Sequence, residues 1–358
     1  MRTRRRRLPK RKKPPRPNKV QKHGGFDNAV FLHFSRPVER IAIKSDFCEI
    51  YSIHCFPFRC ILIVYSTKKG KGTEAMQTPT KSITLLDGAV GTSLWEKTEN
   101  KVPVWRYNIE NPAIVSALHR EFIDAGAEII LANTFGANAG AVASSPYTVH
   151  EVVETGVRLA REAAENTGVK VALSVGPLST LLEPYGDLTE EEAAAIYEEQ
   201  IGAGMNAGAD LILLQTFMDV NMMAIAVRAA KQYSVPVFCA MTFEKVGKTM
   251  MGQSVQDVID TLTPLGVDAV GLNCSLGPDL ALPIIREFHE RTDLPLLFKP
   301  NAGKPILAAD GSTSTAYNAD VFAEDILPAA EFVRYIGGCC GSNASYIRRL
   351  RDRLADGR

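Results

Sequence analysis

From Ile83 to its C-terminal end, this chain alternates strictly between short apolar, β-rich runs and helical stretches. Such an alternation predicts a parallel sheet, and eight repeats of the β-α unit predict a closed barrel. We therefore predict an α/β fold, a single-domain (β/α)8 TIM barrel over residues 76–358, with an open doubly wound sheet as the alternative. The predicted strands are 83–89, 128–135, 170–176, 210–217, 236–243, 268–275, 295–301 and 335–340.

The predicted helices have recognisable ends. Thr189 precedes three glutamates, which is typical of a capped helix start, and Gly126, Gly208 and Gly266 stand just past three helix ends. The predicted helices are 112–125, 149–166, 190–207, 220–232, 255–265, 279–291, 319–333 and 344–354.

The first 75 residues differ from the rest in charge. They hold 19 of the 41 lysines and arginines but 5 of the 40 acidic residues, and their first 22 residues contain twelve basic residues and no acid. A basic run of this kind is solvated and disordered. We predict that residues 1–75 are a disordered or non-native extension, most simply a start codon assigned too early with Met76 as the true start. A targeting arm and a nucleic-acid-binding tail are the alternatives.

Active sites of parallel barrels lie where the strands end, and the unusual residues of this sequence collect there. They are 87–92 after strand 1, 133–138 after strand 2, 176–177 after strand 3, 215–217, 242–243, 273–274, 300–305 and 339–340. The glycine-rich run 87–92 lacks the spacing of a dinucleotide or P-loop motif. We interpret its glycines as positions that let the backbone approach a small ligand.

Three cysteines lie at two of these strand ends. Cys339 and Cys340 stand between glycines, which allow consecutive side chains to face one point, and Cys274 ends strand 6. Strands 6 and 8 are neighbours across strand 7 in a barrel, so the three thiols are expected to meet. Three thiolates leave the fourth position of a tetrahedral zinc ion open to a substrate. We predict a Zn²⁺ site with these three cysteines as metal ligands and catalytic residues.

Other readings of the cysteines and histidines are weaker. Cys239 is assigned to the core of strand 5. The odd number of cysteines and the lack of a secretory signal argue against a disulfide framework, and the compartment is predicted to be reducing and cytoplasmic. No apolar run in the sequence reaches the length needed to span a membrane. His119, His150 and His289 fall in helices outside the barrel, and we expect them to be solvated or capping.

Zinc held by three thiolates suits one kind of chemistry. The negative shell makes the ion a poor source of hydroxide, but it lowers the pKa of an incoming thiol and leaves the bound sulfur nucleophilic. The predicted reaction is alkyl transfer to the sulfur of a substrate.

At these residues the sequence resembles the homocysteine S-methyltransferases, over about residues 82–355, and looks most like the homocysteine module of cobalamin-dependent methionine synthase. The matching stretches are 85–92, 133–137, 271–278, 300–305 and 337–341. The resemblance implies a zinc-dependent methyltransferase that methylates homocysteine to methionine. It implies that Cys274, Cys339 and Cys340 are the zinc ligands.

The resemblance also implies which residues hold the substrate. The amino acid end of homocysteine is expected at Asp87, Gly88, Thr134, Phe135 and Gly136, and Asn273 is expected beside the metal as a resting fourth ligand. Gln215 departs from the family, which usually has a glutamate there to pair with the substrate ammonium. Our hypothesis is that homocysteine remains the acceptor and that Asp87 carries more of the ammonium recognition.

The methyl donor is the open part of this prediction. The sequence has no Asp-x-His-x-x-Gly cobalamin motif and no length for folate and cobalamin modules, so we expect a methyl-corrinoid on a separate protein. A donor of the S-methylmethionine or betaine type, or another thiol acceptor, is the alternative. A zinc- or redox-sensing protein without turnover would not need the rim residues, and binding to nucleic acid would rest on residues 1–22 alone. The sequence does not determine the oligomeric state, although such barrels often form homo-oligomers.

Overall fold

A computed structural model divides the chain into two compact units, Met1–Pro79 and Thr80–Arg358. The residues described are 83–99, 101–303 and 317–356, with the backbone of six strands at 20–21, 29–34, 48–56, 59–66, 305–307 and 313–315. In the first unit, four strands form an antiparallel sheet in the order Val20–Gln21, Ala29–Phe34, Arg59–Ser66, Cys48–Phe56. The sequence did not predict these strands, since residues 29–66 show no clean period. Most of the basic arm lies outside the described residues, so the interpretation of residues 1–75 stays a prediction.

The second unit is a barrel of eight parallel strands. They are β1 (Thr84–Leu85), β2 (Ile129–Leu131), β3 (Lys170–Val175), β4 (Leu211–Phe217), β5 (Val237–Met241), β6 (Ala269–Asn273), β7 (Leu296–Lys299) and β8 (Tyr335–Ile336). Each strand pairs with the next, β8 pairs with β1, and a bridge from Leu86 to Ile129 joins β1 to β2. The predicted closed barrel is therefore confirmed. Its strands are shorter than the apolar runs from which they were predicted.

All eight predicted helices are present, and short helices add to them. They are α1 (Val90–Glu96), α2 (Tyr107–Glu110), α3 (Pro112–Asp124), α4 (Ala139–Val142), α5 (Val149–Ala164), α6 (Glu190–Asn206), α7 (Val220–Ala230), α8 (Val255–Leu262), α9 (Pro278–Arg291), α10 (Ala319–Ile326) and α11 (Ala344–Asp356). Two of the predicted helices stop three or more residues early, at Leu262 and at Ile326. Pro264 and Pro328 open 3-10 turns there, because proline has no N–H to continue an α-helix. No helix in the described part of the chain is long and apolar enough to cross a membrane.

The predicted helix ends are confirmed. Thr189 and Glu192 form a capping box, in which the Thr189 hydroxyl accepts from the backbone N–H of Glu192 and the Glu192 carboxylate accepts from that of Thr189. Gly126, Gly208 and Gly266 all have positive φ, the left-handed conformation in which a side chain is unfavourable.

The alternation of side chains along the strands produces two layers of core. Inward-facing residues fill the barrel, and outward-facing ones pack against the helices. The inner layer consists of Leu86, Ile129, Leu131, Ala172, Leu211, Leu213, Phe238, Ala240, Ala269 and Leu297. Because this layer plugs the barrel, the open end above it is where a ligand can bind.

Strands β6 and β7 approach each other so closely that Gly271 of β6 has no room for a side chain. A Cβ atom at Gly271 would lie 1.9 Å from the carbonyl oxygen of Leu297, and backbone cannot move aside as a flexible side chain can. This approach brings the end of β6 beside β7.

Gly271→Ala is therefore expected to destabilise the fold by about 3 kcal/mol, the upper end of the usual cost of overpacking. Urea unfolding of the variant measures this cost. Gly140→Ala is the matched control, since its Cβ would meet nothing closer than 3.6 Å. Equal unfolding midpoints for the two variants would contradict the close approach of β6 and β7.

His119 of α3 is the one histidine that differs from its predicted environment. His150 and His289 are exposed, as expected, but His119 is fully buried, and neither ring nitrogen has a hydrogen-bond partner among the described residues. Burial lowers the pKa of His119 from 6.5 to about 4, because it disfavours the charged imidazolium. The prediction that His119 is solvated or capping is wrong.

The stability of the protein should depend on pH through His119. The folded state binds a proton there only near pH 4, whereas the unfolded chain binds it near pH 6.5, so stability present above 6.5 is lost as the pH falls towards 4. The loss is roughly 3 kcal/mol. His119→Leu should make the unfolding free energy flatter over this range, as measured by urea unfolding at several pH values. His150→Gln is the control, and an unchanged profile in the His119 variant would contradict the assignment.

Candidate functional site

A cavity of about 240 Å³ lies at the carboxyl ends of the strands. Its lining comes from the ends of seven strands and the segments after them, and no described residue of β5 contributes. The lining residues are Gly88, Ala89, Val90, Gly91, Thr92, Trp95, Val104, Leu131, Ala132, Asn133, Phe135, Ser174, Gln215, Thr216, Cys274, Lys299, Gly338, Cys339 and Cys340. Five of the eight predicted rim segments thus contribute to one continuous site, whereas residues 176–177, 242–243 and 300–303 do not line it.

The three cysteines at the ends of β6 and β8 come together on one side of this cavity. The sulfur atoms of Cys274, Cys339 and Cys340 all lie within 4.8 Å of one another, and the Cys274 and Cys340 sulfurs are 3.7 Å apart. Two thiolates on one tetrahedral zinc ion, each at about 2.3 Å, are separated by about 3.8 Å. The group could therefore hold a metal ion, and its spacing fits zinc.

The thiols also influence one another's charge. Hydrogen bonds from Cys339 and Cys340 lower the pKa of Cys274, whereas the hydrogen bond to Cys274 raises the pKa values of Cys339 and Cys340, and burial adds to both increases. The three thiols thus lose a first proton readily and resist the loss of a second. Three thiolates at contact distance need a nearby cation to be stable together.

The backbone beside the cysteines is held in an unusual conformation. Thr216, Cys274 and Ser275 have φ values of 66°, 62° and 56°, a region that non-glycine residues seldom occupy. Thr216 sits at a register shift in β4, where it leaves the regular ladder with β5. Such strain costs about 1–3 kcal/mol per residue and clusters at functional sites.

Asn273 connects these strained segments. Its Oδ1 accepts from the backbone N–H of Thr216 at 2.8 Å, and its Nδ2 donates to the Thr216 hydroxyl at 2.8 Å. The same Nδ2 lies 3.7 Å from the sulfur of Cys339. Asn273 is buried and does not line the cavity, and its amide nitrogen faces the sulfur of Cys339 as a donor. Its role as a resting fourth metal ligand stays a prediction.

Asp87 forms a buried ion pair that the sequence did not reveal. Lys299, at the end of β7, lies 2.8 Å from Asp87 Oδ1 and also donates to the Asp87 carbonyl, while Asp87 Oδ2 accepts from the N–H of Leu131 at 2.7 Å. Burial raises the pKa of Asp87, and Lys299 opposes that increase. Because both carboxylate oxygens are engaged and Asp87 does not line the cavity, its carboxylate acts within the framework.

Of the other residues predicted to bind the substrate, some line the cavity and others only contact neighbouring strands and loops. Gly88, Phe135 and Gln215 line the cavity, but Thr134 and Gly136 do not. The Thr134 hydroxyl donates to the Ser174 carbonyl at 2.8 Å and joins β2 to β3. A Cβ at Gly88 would lie 2.3 Å from the Ser342 carbonyl, so only glycine lets this loop approach the one that carries the cysteines.

Gln215 is held from two sides. Its Nε2 donates to the Ser174 hydroxyl at 2.8 Å, and its Oε1 lies 3.5 Å from Asn273 Nδ2. Trp95 and Phe135 form the partly exposed apolar rim, with 40% and 37% of their surface accessible. The site thus combines a cluster of thiols with an apolar wall and neutral amides.

Comparisons with known proteins place the chain in one family. The family model for homocysteine S-methyltransferase matches residues 84–354. Methionine synthases from Mycobacterium leprae and Mycobacterium tuberculosis are 29% and 28% identical to this chain over 79% of its length. The matched regions cover 25% and 26% of those relatives, so the chain spans about a quarter of their length.

Solved structures with the same fold include the homocysteine methyltransferase MmuM from Escherichia coli. Its oxidized form has a TM-score of 0.65 and 25% identity, over 76% of this chain and 96% of that one. Its metallated form has a TM-score of 0.64 at the same identity and coverage.

The ion pair generates a prediction about stability. Lys299→Met removes the charge but keeps most of the volume, and it leaves the Asp87 carboxylate buried without its partner, which typically costs about 3–5 kcal/mol. Protonation relieves this cost, so the loss should be smaller at pH 5 than at pH 7, because the pKa of the unpaired carboxyl rises further.

Urea unfolding at both pH values measures the effect. Lys97→Met is the control, since its ion pair with Glu121 is exposed and should contribute little. A variant at Lys299 as stable as the one at Lys97 would contradict a structural role for the pair.

Proposed function

This chain belongs to the homocysteine S-methyltransferase family, and from that membership we propose that it transfers a methyl group to the thiol of homocysteine to form methionine. We further propose that Cys274, Cys339 and Cys340 hold a zinc ion for this reaction. The observation that carries the proposal is the approach of their three sulfurs to within 4.8 Å of one another at the wall of the cavity.

The donor set supports zinc. Three thiols within 4.8 Å of one another, two of them at the spacing of a tetrahedral site, suit a soft, four-coordinate ion, and the metallated form of MmuM is a relative that carries a metal. When bound, zinc lowers the pKa of an incoming thiol while the thiolate shell keeps that sulfur nucleophilic. Asn273 donates towards the Cys339 sulfur and would disperse some of the negative charge of the cluster.

The residues of the cavity would position the acceptor. Val90, Val104 and Leu131 supply apolar wall along which a short carbon chain can pack, with its sulfur directed at the cysteines. In the transfer, the bond between the methyl group and its donor breaks and leaves its electron pair on the donor. A new bond forms to the acceptor sulfur, and the thiol proton passes to solvent. Trp95 and Phe135 at the rim would limit the access of water.

We propose a methyl-corrinoid carried by a separate protein as the donor, in view of the similarity to the mycobacterial methionine synthases. A small sulfonium or ammonium compound, such as S-methylmethionine or betaine, is the alternative. We assign the reaction to residues 76–358, since the family match lies wholly within them, and to the cytoplasm, where thiols stay reduced.

Removing one metal ligand tests the proposal. Cys340→Ala in the full chain should lose bound zinc and reduce methionine formation at least about 100-fold, since even the loss of groups that only support a ligand costs 10- to 100-fold. Zinc content by atomic emission and methionine formed from homocysteine with methylcobalamin, S-methylmethionine or betaine are the measurements.

Cys239→Ala is the matched control, because Cys239 is buried in β5 away from the cavity. It should keep both its zinc and its activity. Equal zinc content in the two variants would overturn the assignment of the ligands. Zinc bound by the parent without methionine from any of the three donors would contradict transfer from a free donor and would leave only a donor bound to another protein.

A further inference from the structure

The charges that face the cavity are unevenly distributed. Among the described residues that line it, none is an aspartate or a glutamate. The thiols lie at one end, and Lys299 is the cation of the lining, but its ion pair with Asp87 leaves no net charge there. An amino group that enters this cavity therefore meets no carboxylate from the described wall.

Two candidate partners for a substrate ammonium are unsuited to that role. The Asp87 carboxylate is fully buried, and its two oxygens are occupied by Lys299 and by the N–H of Leu131. Gln215 reaches the cavity, but its amide is neutral, and its orientation is set by the Ser174 hydroxyl, to which it donates. The oxygen atoms that the described wall offers an ammonium are neutral, and they replace the water it loses without adding charge attraction.

The rest of the wall favours the carbon chain of a thiol. Val90, Trp95, Val104 and Phe135 present apolar surface on the side of the loops after β1 and β2. An acceptor bound here is recognised by its sulfur and its hydrocarbon chain, and an amino group contributes little to either contact.

We infer that this site does not select the α-ammonium of its acceptor, so that it also methylates thiols that lack an amino group. The inference rests on the proposed function and names a broader class of substrate for the same site. The simplest such acceptor is 4-mercaptobutanoic acid, which is homocysteine without its amino group. The reaction is otherwise the same: the methyl group passes to sulfur, the donor keeps the bonding electron pair, and the thiol proton passes to solvent.

Gln215→Glu is the informative substitution. A carboxylate has the same shape as the amide, can accept from the Ser174 hydroxyl, and still faces Asn273 Nδ2. It would place a negative charge in the wall, and a hydrogen bond between charged groups favours binding by about ten- to a hundredfold. The variant should therefore gain a preference for homocysteine that the parent lacks.

The experiment measures the Kd of both thiols for the zinc-loaded full chain by calorimetry, and kcat/KM with whichever donor supports turnover. In the parent, 4-mercaptobutanoic acid should equal homocysteine within about threefold or exceed it, since a neutral hydrogen bond contributes little. In Gln215→Glu the ratio should shift towards homocysteine by at least about tenfold. Comparing the two ratios cancels the intrinsic difference in reactivity between the thiols.

Two further variants keep the test sharp. Gln256→Glu adds the same charge on α8, where the side chain does not line the cavity and accepts a hydrogen bond from Arg291. This control should leave the ratio of the two thiols unchanged. Gln215→Met removes the amide without adding charge and should also leave the ratio within about threefold of the parent, because a neutral amide selects little. It supplies the comparison should Gln215→Glu fail to fold, as judged by thermal melting.

The outcomes separate the two proposals. A parent that prefers homocysteine by tenfold or more, with that preference lost in Gln215→Met, overturns the inference and leaves the proposed function standing. Binding of neither thiol to the zinc-loaded chain overturns both. Comparable binding and methylation of the two thiols, with a preference for homocysteine created by Gln215→Glu, supports both.

Discussion

The carboxyl end of β7 holds together the two loops that carry the thiols. The carbonyl of Lys299 accepts from the N–H of Cys274 at 3.2 Å, and the carbonyl of Pro300 accepts from the N–H of Cys339 at 2.8 Å. Just beyond, the N–H of Ala302 donates to the carbonyl of Cys340 at 2.9 Å. Because β7 pairs with β6 on one side and with β8 on the other, its end lies between the two segments that carry the thiols and holds both by backbone hydrogen bonds. The position of the cluster thus depends on the end of β7 as well as on the loops.

The same strand end also determines the electrostatics of the cavity. The Lys299 side chain turns towards β1 and meets Asp87, which closes the barrel with a buried ion pair whose partners both have further hydrogen bonds. A buried pair of this kind contributes little net stability, but the loss of either partner is costly. The pair cancels the charge of Lys299, so the rest of the described wall presents thiols, apolar side chains and neutral amides. The charge that the cavity presents to a ligand is therefore set by the other residues that line it.

Much of this could be predicted from the sequence, because the informative residues mark local structure. The β-α alternation, the glycines after helices and the three cysteines at two strand ends each have a local physical cause. The Asp87–Lys299 pair could not be predicted in that way, since its members are 212 positions apart and a lysine that ends an apolar run is ordinarily expected to reach solvent. His119 carried a signal that was missed: with Val115, Leu118 and Phe122 it forms the buried stripe of α3.

The strained residues explain why the site is built on strands. Thr216, Cys274 and Ser275 would relax to ordinary conformations if they stood in a free loop, because each costs about 1–3 kcal/mol as it is. Asn273 prevents this by binding both the N–H and the hydroxyl of Thr216, while Thr242 of the segment after β5 donates to the Asn273 carbonyl at 3.0 Å. The large core of the barrel offsets the strain. A cation bound by the three sulfurs would meet ligands already held within 4.8 Å of one another, so little of its binding free energy would be spent on ordering them.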